Sequence, residues 1–132
     1  MKQIKRFVAL CFCSVILLTS CTKFGTAVST IKIIDYQDKE LTVEAVIDDR
    51  GGCRYYIEQG FCYRQDTFPN LNDLFTTKVK VNGYSEADTF LATFSLPSDT
   101  TYWVCAYVKN SAGLSYSNAK KLIPANYHGT NE

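Results

Sequence analysis

Between positions 31 and 123 the chain is cut into short runs in which apolar residues recur at every second position, each closed by turn-forming residues. A period of two places those side chains on one face of a strand, whereas a helix would need a period near 3.6. Phe90, Ala92, Phe94 and Leu96 share one side of such a run, and Tyr102, Val104, Ala106 and Val108 share one side of the next. Leu41, Val43, Ala45 and Ile47 do the same earlier in the chain. Runs at 31–36, 54–64, 78–81 and 114–123 complete the set. The breaks are Asp48-Asp49-Arg50-Gly51-Gly52, a long connection over 65–77, Asn82-Gly83, residues 97–100 and residues 110–113. Asn-Gly is a strong turn dipeptide. No stretch reads as a helix of useful length, and neither an internal repeat nor a low-complexity tract is present. The expectation is an all-β fold, a two-sheet antiparallel sandwich of about seven strands. It spans residues 30–124, with Pro124 ending the last strand and residues 125–132 forming a polar tail.

The first twenty residues read as an address. Lys2, Lys5 and Arg6 precede twelve mostly apolar residues, Phe7 to Leu18. That is the length of a signal-peptide core, and a bilayer-spanning helix needs about 20 apolar residues. Leu18-Thr19-Ser20-Cys21 follows. It resembles the bacterial lipoprotein box, in which the cysteine thiol takes diacylglycerol and the peptide before it is removed. The resemblance implies a signal peptide over residues 1–20, lipidation at Cys21 and a lipidated tether over 21–29. Cleavage there leaves eleven basic and thirteen acidic residues, a net charge of −2. Such a balance offers no field for nucleic acid or anionic lipid. Retention would come from the acyl chains, each buried methylene contributing about 0.8 kcal/mol. Thr22-Lys23-Phe24-Gly25 carries no acidic residue. An outer-membrane position in the cell envelope is expected, with the surface and periplasmic faces both open.

Catalytic chemistry finds few candidates. The single histidine, His128, lies in the polar tail, away from any serine-and-acid arrangement. Asp48 and Asp49 are adjacent, so on a strand they would point to opposite faces, and they read as turn formers. The acidic loop spacing of a calcium site is absent. Gly51-Gly52 lacks the Lys-Ser/Thr that a phosphate loop requires. Cys21, Cys53, Cys62 and Cys105 remain after cleavage, without a C-x-x-C pair, so no metal site is expected. Neither a cofactor nor an enzymatic activity is expected.

Residues 96–113, from Leu96 through Pro97, Thr100, Tyr102, Val104 and Ala106 to Asn110 and Gly113, resemble the fibronectin type III fold. Tyr102 is similar to the tyrosine corner of that fold, whose hydroxyl ties a loop to the strand. Pro97 sits one place nearer Leu96 than the family usually has it. Gly60-Phe61-Cys62-Tyr63, with Gly51-Gly52 before it, resembles the third strand of the fibronectin type III-like domains of bacterial envelope lipoproteins. An immunoglobulin domain proper would need a cysteine on the second strand, where residues 41–47 have none.

The resemblance implies that the third and sixth strands are neighbours. With Tyr102, Val104, Ala106 and Val108 at core positions, period two turns Trp103, Cys105, Tyr107 and Lys109 outward. Trp103 and Tyr107, with Tyr55 and Tyr56 on the third strand, then form a candidate exposed ligand face. Flat aromatics can stack on sugars or anchor a protein partner, and they also pair across strands purely to stabilise a sheet. The same arrangement implies that Cys62 and Cys105 can approach closely enough for a disulfide. The alternative is that Cys62 is a small buried apolar residue and Cys105 a lone thiol. The functional expectation is a non-enzymatic envelope lipoprotein presenting a binding or spacer module. A glycan-binding accessory lipoprotein is its alternative. The membrane, reached through lipid on Cys21, and an envelope protein or glycan are the expected partners.

Overall fold

A computed structural model describes residues 25–128. Residues 1–24, which carry the expected signal peptide and the expected lipidation site Cys21, and residues 129–132 lie outside the described residues. Among the described residues eight strands form: β1 (Val28–Gln37), β2 (Glu40–Asp49), β3 (Glu58–Arg64), β4 (Thr77–Asn82), β5 (Thr89–Ser95), β6 (Tyr102–Asn110), β7 (Gly113–Tyr116) and β8 (Lys120–Leu122). A four-residue helix, α1 (Ala125–His128), follows where only a polar tail was expected. Its Tyr127 meets the Tyr36 ring edge-on at 6.0 Å.

The strands make two antiparallel sheets, β1-β2-β5 and β4-β3-β6-β7, with β8 also paired to β6. The fold is therefore the expected two-sheet sandwich, with the third strand beside the sixth. Period two sets the packing. Leu41, Val43, Ala45 and Phe90 point inward from one sheet, and Phe61, Tyr63, Tyr102, Val104, Ala106 and Val108 from the other. The two layers meet ring to ring: Phe61 lies 5.1 Å from Phe90, and Tyr63 stacks on Phe94 at 5.4 Å. Burying an aromatic or branched aliphatic side chain in this way contributes roughly 1.5–3 kcal/mol each.

Several features differ from the sequence reading. The third strand begins at Glu58 rather than at 54, because Tyr56 leaves the ladder to exchange backbone hydrogen bonds with Ser85. The last run divides into β7 and β8 at Ser117, whose Oγ accepts the Ala106 N–H at 2.8 Å in place of a backbone carbonyl. Asn82-Gly83 makes no hairpin: β4 and β5 belong to different sheets, and the chain crosses between them there. The left-handed pair that does close a hairpin is Asp38-Lys39, with φ of 53° and 67°, between β1 and β2. Both residues at φ > 0 give the turn twist that paired strands favour.

Residues 25–29, expected to belong to a tether, are already tied into the fold, with β1 starting at Val28. Ala27 is buried, and the Gly25 N–H donates to the Gly51 carbonyl at 2.8 Å. Gly51 sits at φ 70°, and a Cβ there would lie 1.9 Å from the Gly25 oxygen, so only glycine fits. The buried Asn110 secures the same junction. Its Nδ2 donates to the carbonyls of Gly25 (2.9 Å) and Arg50 (3.1 Å), and its Oδ1 accepts the N–H groups of Ala112 and Gly113. The chain thus enters the sandwich at the end where β6 stops and β7 begins.

Candidate functional site

The outer face of the β4-β3-β6-β7 sheet carries Cys62, Trp103, Cys105 and Tyr107, since the neighbouring positions face the core. A sheet face without a second layer would leave these side chains in water. Instead, the connection over 65–76 folds back across it. Two side-chain-to-backbone turns shape that connection: Asn70 Oδ1 accepts the Asn72 N–H, and Asp73 Oδ1 accepts the Phe75 N–H. It is fastened by the Arg64–Asp73 ion pair, by the Leu71 N–H donating to the Tyr116 hydroxyl, and by Phe68 packing edge-on against Trp103 at 4.9 Å.

Beneath this cover Cys62 and Cys105 are direct partners in the β3–β6 register, with Sγ atoms 3.2 Å apart. Both are buried free thiols. A recess of about 400 Å³ reaches Cys105 between Phe68, Pro69 and Asn70 on one side and Tyr116 to Ala119 on the other. Hydrogen bonding to Cys105 and burial both push the Cys62 thiol upward, so it stays protonated. The pair is poorly suited to act as a nucleophile and well placed to be joined to each other. Cys53 lies at the other end of the sheet, its Sγ 3.1 Å from Ser111 Oγ.

The expected aromatic face does not assemble. Tyr107 is only 1% exposed, because its ring lies over Gly60, where a Cβ would be 2.7 Å from the ring and its hydroxyl oxygen. Its hydroxyl donates to Glu58 Oε2 at 2.6 Å, and Lys78 Nζ lies 2.6 Å from the same oxygen. Burial raises the Tyr107 pKa, and the bond to Glu58 adds to it. Burial also opposes ionisation of Glu58, but the bonds from Lys78 and Tyr107 outweigh it, and the carboxyl is shifted down.

Tyr56 is fully buried as well, correcting its place in the exposed set. Its hydroxyl donates to Asp88 Oδ1 at 2.6 Å, and Arg50 Nε pairs with Asp88 at 2.7 Å. Bonds from Arg50 and Tyr56 hold the Asp88 carboxyl below its ordinary range.

The remaining two aromatics are separated. Trp103 is half-buried near the Tyr102 end of β6, between Phe68 and Lys121, whose Nζ is 5.6 Å from its ring. Tyr55 is at the Asn110 end, stacked at 5.1 Å on Tyr84, with the Arg54 guanidinium 5.2 Å from the centre of the Tyr55 ring. Tyr84 was missed by the sequence reading: it follows Asn82-Gly83 outside any strand, and nothing local marks it as the partner of Tyr55. Tyr102 does tie loop to strand, but through Ser98 Oγ at 2.9 Å and Gln65 Nε2 at 3.3 Å.

Neither a family model nor a curated protein matches the sequence. Among solved structures the chain is similar to a superoxide reductase (neelaredoxin) from Archaeoglobus fulgidus in the reduced form, with 11% identity and a TM-score of 0.49 over 76% of this chain and 93% of that one.

Proposed function

We propose that this protein is a non-enzymatic lipoprotein of a bacterial envelope, holding a β-sandwich binding or spacer module at the membrane through acyl chains on Cys21. The observation that carries the reading is polarity. The chain enters at the Gly25 end, four residues after Cys21. The apolar tip of the β3–β4 connection, with Leu74 97% exposed beside Phe75, lies at the opposite end next to Pro97 and Tyr102. The nine residues of β6 separate these ends by roughly 26 Å at the usual strand rise. A module anchored at one end and apolar at the other is arranged to offer that tip to an envelope partner. The acidic groups give further support to a non-catalytic role: Glu58 and Asp88 are each engaged by a tyrosine and a cation that fasten the fold.

The test is the mass of the mature N-terminal peptide from the full-length protein. A peptide starting at Cys21 and carrying diacylglycerol is expected, and Cys21→Ser should accumulate as the unprocessed precursor. A different first residue, or an unmodified Cys21, would overturn the lipoprotein reading.

A further inference from the structure

A second exposed apolar group lies at the entry end of the sandwich. Tyr55 and Tyr84 stack there, Tyr84 is 73% exposed, and Ile57 beside them is 44% exposed. Together with Arg54, Cys53 and Ser111 they line one shallow recess. Cys53 contacts Ser111, and Ser111 follows Asn110, which holds the Gly25 carbonyl. The ledge and the point of chain entry therefore share one pole.

We propose that this ledge is a lipid-interface contact, seated against the headgroup region of the bilayer that holds Cys21; the proposal rests on the lipoprotein reading above. Reach selects the occupant. The four residues from Cys21 to Gly25 span at most about 14 Å even when fully extended. That is shorter than the length of β6, so the entry pole faces the bilayer and the Phe75 tip points away. The chemistry agrees. Tyrosine rings are apolar bodies with a polar hydroxyl and concentrate at membrane–water boundaries. Arg54 can lay its stem along the rings and keep its charged head in water. Both guanidinium groups beside the ledge are ion-paired, Arg50 with Asp88 and Arg54 with Glu86. The contact should therefore form on zwitterionic lipid without requiring anionic headgroups. Its own affinity can be weak, because a short tether supplies an effective concentration in the mM range.

The probe is the full-length acylated protein in phosphatidylcholine vesicles whose acyl chains carry bromine near the headgroup. Tyr84→Trp in a Trp103→Phe background reports from the ledge, and the native chain reports from Trp103. Position 84 is mostly exposed, so the substitution leaves the core intact. The expected result is a blue shift and several-fold stronger quenching at position 84 than at Trp103. Adding Ile57→Asp should remove most of that difference. Quenching at 84 no stronger than at Trp103 overturns the proposal. So does quenching that Ile57→Asp leaves unchanged, since tethering alone then accounts for it. A blue shift that grows with protein concentration and is insensitive to bromine overturns it in favour of a second copy of the chain. The N-terminal mass of the same sample separates the two failures. Acylated Cys21 with an unquenched ledge overturns the seating alone. Cys21 without acyl chains overturns the lipoprotein reading and the seating together.

Discussion

Cys62 and Cys105 face each other across the β3–β6 pair with 3.2 Å between their Sγ atoms, on the outer side of the sheet. That pairing brings together two residues 43 positions apart. Cys62 is fully buried and Cys105 only 2% exposed, under a connection that starts just after β3 ends and leaves a recess reaching Cys105. A small oxidant approaches through that recess, on the Cys105 side, and a bulkier one needs the cover to lift.

Exposure to a disulfide oxidant during refolding should join Cys62 to Cys105 and leave Cys53 as the remaining thiol downstream of Cys21. Closing a loop of this length stabilises by about 4 kcal/mol in the chain-entropy treatment, less any strain. Thiol counting on the denatured, unreduced protein checks it. Three free thiols among Cys53, Cys62 and Cys105 after such refolding would reject the bridge.

Asn110→Ala should cost about 3 kcal/mol, since removing one buried side chain leaves several backbone partners unsatisfied. The loss should be uneven. Amides of Ala112 and Gly113 should exchange hydrogen fastest, because Asn110 Oδ1 is the acceptor they lose. Chemical denaturation gives the total, and amide exchange gives its location. A change below a few tenths of a kcal/mol would show that water replaces the side chain.

Tyr107→Ala should destabilise far more than Trp103→Ala. The former empties a buried site, at about 3–5 kcal/mol for a large aromatic, and strips Glu58 of a donor. The latter removes a half-buried ring that rests on Phe68 at the surface. Tyr102→Phe should fall below both, at about 1 kcal/mol for one hydrogen-bonded hydroxyl. Melting curves of the three variants test the order, and equal losses for Tyr107→Ala and Trp103→Ala would contradict it.

Stability should fall at both ends of the pH scale. Glu58 and Asp88 have folded pKa values below their ordinary 4.5 and 3.8. Above those ordinary values the stabilisation is fully present. As pH falls, the unfolded chain takes up protons first, and the gain is lost by the time the lowered folded values are passed. At the alkaline end, burial first and then the bond to Asp99 raise Tyr36 from 10.0 to about 12. Unfolded tyrosine ionises above 10.0 while the folded residue stays neutral, so stability is lost between those values. Tyr56 and Tyr107 are raised in the same direction. Denaturation midpoints across pH check both limbs, and Asp88→Asn should flatten the acid one.

The inward faces were legible because alternation is local. Phe90, Ala92, Phe94 and Leu96, like Tyr102, Val104, Ala106 and Val108, face the core where period two puts them. The same counting placed Cys105 and Tyr107 on the opposite face correctly, yet read that face as open to solvent. Their burial comes from residues 65–76 lying over the sheet, and from Glu58 reaching Tyr107 across 49 positions of sequence. The pairing of Tyr55 with Tyr84 and the burial of Tyr56 against Asp88 were likewise out of reach, since no spacing rule links those segments. Asn82-Gly83 does end β4 in a bend, as read, but a turn dipeptide specifies only the bend, and the sheet to which the next strand belongs specifies whether it closes a hairpin. The sequence by itself determined strand periodicity and the inward side chains, both properties of neighbours a few residues apart. Only the tertiary structure decided which outward side chains are covered, because the groups that cover them arrive from distant parts of the chain once both sheets have packed.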